Sequence, residues 1–225
     1  MTSKSISIGI IDSGISGPLA GKAADSRSFS DGIGIEDKLG HGTRVTEIIC
    51  QEAAGASLII AKVFGSRPTT QPAIIAEALD WLAGQQVPIV NMSFGLAADR
   101  RPLSEACSRA GAKGMLLVAS APAQGTPCYP AAYDSVISVT GDARCDIGVV
   151  SALDGIAQFG TWCASPEHEA GATISGASIA AAHFTGLAAR WFAANPDATT
   201  DDLVSHLRRS ASIRGPEHRA TSRCR

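Results

Sequence analysis

The sequence predicts an α/β fold in which a mostly parallel sheet has helices on both faces. Two observations predict it. Short apolar runs alternate along the chain with longer segments of helical periodicity, and this alternation is typical of strand–helix–strand units whose strands lie side by side. The chain has 225 residues, which is enough for one domain with a substantial core.

The strands are predicted from the apolar runs. Each run is short and bounded by turn-forming residues, as expected of strands that are buried on both faces. The predicted strands are residues 6–11, 58–63, 87–92, 115–120 and 135–140.

The helices are predicted from the longer segments between these runs. The last of them follows Thr199 and has Asp201 and Asp202 in its first turn, residue types that favour a helix N-terminus. The predicted helices are residues 41–53, 72–85, 101–112, 178–194 and 200–209. We expect one domain over residues 1–213 and a polar, Arg-rich and flexible tail at 214–225.

Composition narrows the partners and the compartment. Acidic residues number 21 and basic residues 19, so the charge balance gives no reason to expect nucleic acid or an anionic membrane as a partner. The first strand follows Met1 so closely that no signal peptide fits before it, and we expect a cytoplasmic protein. In that compartment scattered cysteines are expected to be free thiols. The six cysteines are residues 50, 107, 128, 145, 163 and 224.

Three residues stand where a nucleophilic site would need them. Asp12 ends the first apolar run, His41 lies between two glycines, and Ser178 opens a long apolar segment. A serine becomes nucleophilic when a base takes its proton and a third group orients that base. Strand ends and helix starts of an open α/β sheet share one edge. The sequence therefore predicts Ser178 as nucleophile, His41 as general base and Asp12 as its orienting partner. Taken singly, Ser178 would more commonly be a helix cap, His41 is compatible with a hydrogen-bonded loop histidine, and Asp12 with a turn to Gly14.

Five segments carry a resemblance to a known family. They are residues 10–15, 41–45, 90–95, 129–137 and 176–183. With the order Asp, His, Ser, which is also that of subtilisin, they resemble the subtilase family of serine endopeptidases from residue 6 to about residue 211.

The resemblance implies a subtilisin-like three-layer fold and a catalytic domain over 1–213. It implies a polypeptide substrate cleaved through an acyl-enzyme, without a cofactor. It also implies that backbone groups flanking the groove pair with an extended peptide; these substrate-binding candidates are Ser93, Phe94, Gly95, Val118, Ala119 and Ser120. His183 matches a histidine that is structural in the family. Many subtilases bind calcium, but we expect Asp31, Glu36 and Asp37 to form a solvated acidic loop and predict no metal site.

One departure from the family pattern concerns catalysis directly. Subtilases carry an Ala-Gly-Asn segment whose asparagine donates to the oxyanion, and the corresponding residues 119–125 contain no asparagine. Pro122 falls near the expected position and has no N–H, and Gln124 is the one side-chain amide available nearby. Loss of this donor in subtilisin costs roughly 10²–10³ in kcat. We therefore expect slow or highly selective proteolysis.

Two functions remain open on the sequence. The short chain resembles trimmed intracellular subtilases that remove leader peptides from ribosomally made precursors, among them the group that matures quinohemoprotein amine dehydrogenase. The alternative is a catalytically impaired pseudoprotease that binds a peptide strand in the groove as a chaperone or adaptor.

Overall fold

The centre of the fold is a sheet that carries its functional residues along one edge. The computed structural model describes residues 5–30, 34–163 and 176–218. Within these ranges eight strands form the sheet in the order β2-β3-β1-β4-β5-β6-β8-β7. All neighbouring pairs are parallel except β7 and β8. The strands are β1 (Ser7–Asp12), β2 (Ala23–Ser28), β3 (Ser57–Lys62), β4 (Ile89–Met92), β5 (Leu116–Ser120), β6 (Val136–Gly141), β7 (Val150–Ala152) and β8 (Phe159–Thr161).

The helices cover the two faces of this sheet. They are α1 (His41–Glu52), α2 (Pro72–Gly84), α3 (Arg101–Ala112), α4 (Gly176–Ala194) and α5 (Thr200–Ser210), with a short 3₁₀ helix at Gly17–Lys22. Among the helices of the described ranges, none is long and apolar enough to cross a membrane.

Two apolar cores separate the layers. In β1, Ile8 and Ile10 face the core under α1, α4 and α5, whereas Ile11 faces the core under α2 and α3. This alternation follows from the two-residue period of a strand. Both cores are apolar because a parallel sheet is covered on both faces. The predicted three-layer α/β fold is confirmed.

The predicted strands and helices all occur, with ends that differ by at most two residues. Three strands were not predicted. β2 has no buried residue, so it lacks an apolar pattern, and its backbone ladder with β3 holds it at the edge of the sheet. β7 and β8 have three residues each, too few to show a period.

The beginning of the predicted tail is held against the sheet. Ala152 N–H donates to Ile213 O at 3.0 Å, and Ala143 N–H donates to His218 O at 2.8 Å. The remainder, 219–225, lies outside the described residues.

The cysteines correct one expectation. Cys50, Cys107, Cys128 and Cys145 are free thiols, as expected. Cys163, just after β8, is disulfide-bonded. Spacing along the sequence gave no sign of this bond, because partners in a disulfide need to be near only in space. Cys224 lies outside the described residues.

Candidate active site

Asp12 and His41 form the first half of the site. Asp12 is the last residue of β1 and is 1% exposed, and His41 is the first residue of α1. His41 Nδ1 lies 2.8 Å from Asp12 Oδ1 and 3.0 Å from Oδ2. A carboxylate accepts, so Nδ1 carries the proton and Nε2 is left as the basic nitrogen. The predicted pairing of these two residues is present.

Glycine lets the two segments approach each other this closely. A Cβ on Gly42 would lie 2.3 Å from Gly14 O, and one on Gly14 would lie 2.2 Å from Ile35 O. Gly14 also has a φ of +109°, which other residues rarely adopt. Ser13 Oγ accepts from Gly42 N–H at 2.9 Å and donates to Asp12 Oδ1 at 3.1 Å. The turn after β1 is therefore bonded directly to the first turn of α1.

A second carboxylate organises the start of α1. Asp37 Oδ1 accepts from the N–H groups of Leu39 and Gly40, and Oδ2 accepts from the N–H and hydroxyl of Thr43. The bonds to Gly40 and Thr43 satisfy N–H groups that the start of α1 leaves without a partner. We expected Asp37 to be solvated, but it is 9% exposed, because its oxygens are used inside the loop. The sequence did offer a signal for this role, because an acidic residue stands shortly before a glycine and the start of a predicted helix.

These two carboxylates favour the charged form of His41. Burial lowers the pKa of the imidazole, but the charge of Asp12, its hydrogen bond and the charge of Asp37 outweigh burial, and the net pKa is raised. Two anions therefore stabilise the imidazolium, which is the form a general base adopts after it has taken a proton.

Ser178 forms the second half of the site and is tied to the end of β4. It lies in the first turn of α4 and is 4% exposed. Its Oγ donates to Ser93 O at 2.9 Å, and Ser93 Oγ donates to Ser178 O at 3.2 Å. Asn91 continues this contact: its Nδ2 donates to Ser93 Oγ, and its Oδ1 accepts from Thr185 Oγ1, each at 2.9 Å. The serine is thus fixed to the carboxyl edge of the sheet.

A buried hydrogen bond joins the helices that carry His41 and Ser178. His183 of α4 lies with Nδ1 2.8 Å from Glu52 Oε1 of α1, and both side chains are 6% exposed. A Cβ on Gly186 would lie 2.4 Å from Glu52 Cβ, so the helices are in direct contact. This buried position agrees with a structural role for His183.

A cleft of about 630 Å³ lies beside Ser178. Of the predicted substrate-binding residues, Gly95 and Ser120 line it, together with Ala177. Ser93 instead contacts Ser178, and the Phe94 ring packs against Phe64 with centroids 5.4 Å apart. Val118 and Ala119 are fully buried, with their side chains in the two cores.

Other residues of this cleft were not predicted. They are Leu96, Ala97, Ala121, Pro122, Thr126, Pro127 and Cys128. The position of Cys128 directly before the Tyr-Pro-Ala segment was the only signal for the last of them. Gln124, the alternative amide, is exposed. Within the described ranges, no group of three or more His, Cys, Asp or Glu side chains is placed to hold a metal ion; Asp31 lies outside them.

The fold, the Asp–His pair and the serine at a helix start define a subtilisin-like serine endopeptidase, a hydrolase of peptide bonds. The chain belongs to the Subtilase family, whose model matches residues 3–223.

Two proteases with similar sequences support the assignment to this family. The minor extracellular protease Epr of Bacillus subtilis (strain 168) is 32% identical over 159 residues, which are 62% of this chain but 24% of that protein. Subtilisin DY of Bacillus licheniformis is 27% identical over 236 residues, covering 93% of this chain and 85% of that one.

Solved structures share the fold. The S41 psychrophilic protease has a TM-score of 0.69 at 24% sequence identity, and the match covers 95% of this chain and 86% of that protein's chain. Sphericase has a TM-score of 0.67 at 24% sequence identity, and the match covers 92% of this chain and 85% of the sphericase chain.

Proposed function

We propose that this chain is a serine endopeptidase for a specific polypeptide, with Ser178 as nucleophile, His41 as general base and Asp12 as orienting carboxylate. The observation that carries the proposal is the hydrogen bond at 2.8 Å between His41 and the buried carboxylate of Asp12, on the sheet edge that also holds Ser178. The carboxylate fixes the tautomer of His41, and the His41 side chain is 26% exposed, so its Nε2 can meet a substrate. The side chain of His183, which is also paired with a carboxylate, is only 6% exposed.

The chemistry follows from these roles. Ser178 Oγ gives its proton to His41 Nε2 and attacks the scissile carbonyl carbon. His41 then protonates the leaving amine, the C–N bond breaks, and an acyl-enzyme remains. Water, deprotonated by His41, attacks the ester and releases the carboxylic acid product and Ser178. Asp12 keeps its charge throughout and stabilises the imidazolium at each transfer.

The resting contact of Ser178 sets an additional requirement. Its Oγ donates to Ser93 O at 2.9 Å, so the hydroxyl proton must leave this carbonyl before His41 can accept it. A peptide bound along residues 93–95 would bring its carbonyl to this edge and compete for the same space. We propose that the Ser178 hydroxyl takes up its reactive orientation when substrate binds, and not in the free enzyme.

The oxyanion site supports selective cleavage. We propose that the backbone N–H groups of the first turn of α4, with the dipole of this helix, are the principal donors to the oxyanion. Pro122 lines the cleft near Ala177 without an N–H to give, and Gln124 is exposed. Binding energy from a long, dedicated substrate would then offset the missing donor by positioning the scissile bond. Removal of a leader peptide from a precursor, as in quinohemoprotein amine dehydrogenase maturation, is the proposed task.

The second candidate is a peptide-binding pseudoprotease. The observation that favours it is the same loop, since a groove without the asparagine donor could hold a peptide strand without cutting it. Reaction with a fluorophosphonate separates the two, because covalent capture requires an activated serine. We expect labelling of the wild type at Ser178 and none of Ser178→Ala. If the wild type stays unlabelled even after prolonged exposure to the fluorophosphonate, this result supports the pseudoprotease.

The natural substrate can be found by comparing cells. Precursors that accumulate in a Ser178→Ala strain, identified by mass spectrometry of their N-termini, are expected to retain a leader that the wild type removes. Identical N-termini in both strains would contradict a processing role.

The cytoplasm remains the proposed place of action, supported by the four free thiols. The disulfide at Cys163 argues the other way, because reducing compartments seldom keep disulfides. Cell fractionation decides between them, and recovery of the protein outside the cytoplasm would overturn this proposal.

A further inference from the structure

An apolar groove lies between α4, α5 and the start of β7, and we call it the α4–α5 groove. Its volume is about 160 Å³, and none of the described residues that line it is charged. An apolar cavity of about 150 Å³ in a protein can take up benzene, so this groove has room for one apolar side chain. Its walls are formed by Val150, Phe184, Leu187, Trp191, Leu203 and Leu207.

An apolar side chain projects from the turn just before β7. Among the residues that the structure describes, Ile147 is the only large apolar side chain that is exposed, at 66%. Val149 N–H donates to Asp146 O at 3.0 Å, and Gly148 has a φ of +83°, as in a type II turn with glycine at its third position. The hydrogen-bonded turn therefore holds Ile147 at its tip.

Ile147 and the α4–α5 groove are neighbours on the surface. Gly148, the next residue, lines the groove, but Ile147 itself remains exposed and does not fill it. Single exposed apolar side chains are common, whereas a projecting one directly beside an apolar groove makes the surface complementary to itself. A two-fold axis between the two features would bring Ile147 of each copy to the groove of the other, since contacts across such an axis are reciprocal.

We infer that the α4–α5 groove binds Ile147 of a second copy of this chain, so that two chains form a symmetric dimer. Burial of Ile147 and of the groove walls favours this contact. The net charge of −2 at pH 7 leaves little repulsion between two copies. The contact is small beside the roughly 800 Å² per partner of a stable interface, so the dimer is reversible.

The dimer goes beyond the proposed function and does not depend on it. Phe184, where the groove begins on α4, lies about 9 Å along this helix from Ser178. Association can therefore be measured on the full chain without any substrate or any reaction.

Sedimentation velocity over a series of protein concentrations provides the measurement. We expect the wild type to shift from monomer to dimer as its concentration rises. Ile147→Asp brings a charge to the groove of the partner, and Leu187→Lys places one on the groove wall, where desolvation without a partner is costly. Each should weaken dimerisation by at least about 30-fold, the loss that marks a hot-spot residue. Ile147→Leu keeps an apolar side chain and should dimerise nearly as the wild type does.

Two controls separate the contact from general effects of charge and folding. Ala73→Asp adds the same charge at an exposed position in the first turn of α2, on the other face of the sheet, and should leave dimerisation unchanged. Circular dichroism checks that the variants are folded. If Leu187→Lys is unfolded, Leu207→Lys replaces it, because Leu207 is a half-buried groove residue on α5.

A mixture of Ile147→Asp and Leu187→Lys tests whether the contact is reciprocal. In the mixed dimer, the unaltered Ile147 of the second variant enters the unaltered groove of the first, and at the other contact the aspartate faces the lysine. We expect the mixture to dimerise although each variant alone stays monomeric. A wild type that is monomeric at every concentration, an Ile147→Asp variant that dimerises like the wild type, or a mixture that stays monomeric would each overturn the inference.

Discussion

Asp37 and Thr43 are joined twice, because Asp37 Oδ2 accepts both the backbone N–H and the hydroxyl of Thr43 at 2.8 Å each. The same hydroxyl oxygen accepts from Ser16 N–H at 3.0 Å. Thr43 thus connects the loop before α1 to the segment after β1. Because His41 lies two residues before Thr43, these bonds also fix the position of His41 opposite Asp12.

Replacement of Asp37 by Asn should move the pH dependence of activity. The charge of Asp37 contributes to the raised pKa of His41, and in the proposed mechanism His41 must be neutral to accept the proton of Ser178. Without that charge the pKa falls, so the acidic limb of kcat/KM moves to lower pH. Loss of the bonds to α1 should also lower the free energy of unfolding by about 1 kcal/mol, the usual cost of a lost cap.

Thr43→Val separates these two effects. It removes the hydroxyl but leaves the Asp37 charge in place, so unfolding becomes easier while the acidic limb stays where it is in the wild type. If Thr43→Val moves the limb as far as Asp37→Asn does, the shift comes from local rearrangement and the charge argument is wrong.

Glu52→Ala should be strongly destabilising. Removal of the carboxylate leaves His183 buried without its partner at 2.8 Å and opens space between α1 and α4. Leaving a buried polar group without its hydrogen-bond partner costs about 1–3 kcal/mol, which urea denaturation can measure. Glu52→Gln retains an oxygen that can accept from Nδ1 and should cost less than half as much. Equal losses for both variants would mean that packing, not the hydrogen bond, dominates.

The sequence predicted the elements whose side chains make the cores. Ile8, Ile10 and Ile11 form an apolar run because both faces of β1 are covered. β2 was not predicted because backbone hydrogen bonds to β3 hold it in place. Such bonds can form with any side chain, so they leave no pattern in the sequence. The docking of residues 213–218 depends on the sheet end near Asp142, which a local pattern does not reveal.

The site was predictable to the extent that its residues mark the ends of elements. Asp12 and His41 do so, and the hydrogen bond between them is present. Asp37 and Cys128 lie in loops, and their contacts arise only when distant segments meet. Their roles depend on which atoms fill a small space, and sequence order carries little information about that.

Thr199→Ala tests a part of the fold remote from the site. Thr199 Oγ1 accepts from Asp202 N–H at 3.2 Å, and Asp202 Oδ2 accepts from the Thr199 N–H at 2.9 Å. Loss of the Thr199 hydroxyl, which removes its half of this capping box, should cost about 1 kcal/mol of unfolding free energy without altering kcat/KM. Hydrogen bonds from Thr199 lower the pKa of Asp202, so this stability is present above the usual Asp pKa. The difference from the wild type should therefore shrink as the pH falls through the lowered pKa; a constant difference at all pH values would contradict the assignment.

On the proposed arrangement of the oxyanion site, Pro122→Asn should add a donor to the oxyanion. Pro122 lines the cleft near Ala177, and asparagine would supply both a side-chain amide and a backbone N–H at this point. A donor that acts on developing charge raises kcat and leaves KM nearly unchanged; we expect an increase of about 10-fold, below the roughly 10²–10³ of an optimally placed amide. Gln124→Ala is the matched control, and because Gln124 is exposed its removal should change kcat less than twofold, roughly the effect of a surface substitution. A large loss of kcat in Gln124→Ala, with no gain in Pro122→Asn, would identify Gln124 as the donor already in use.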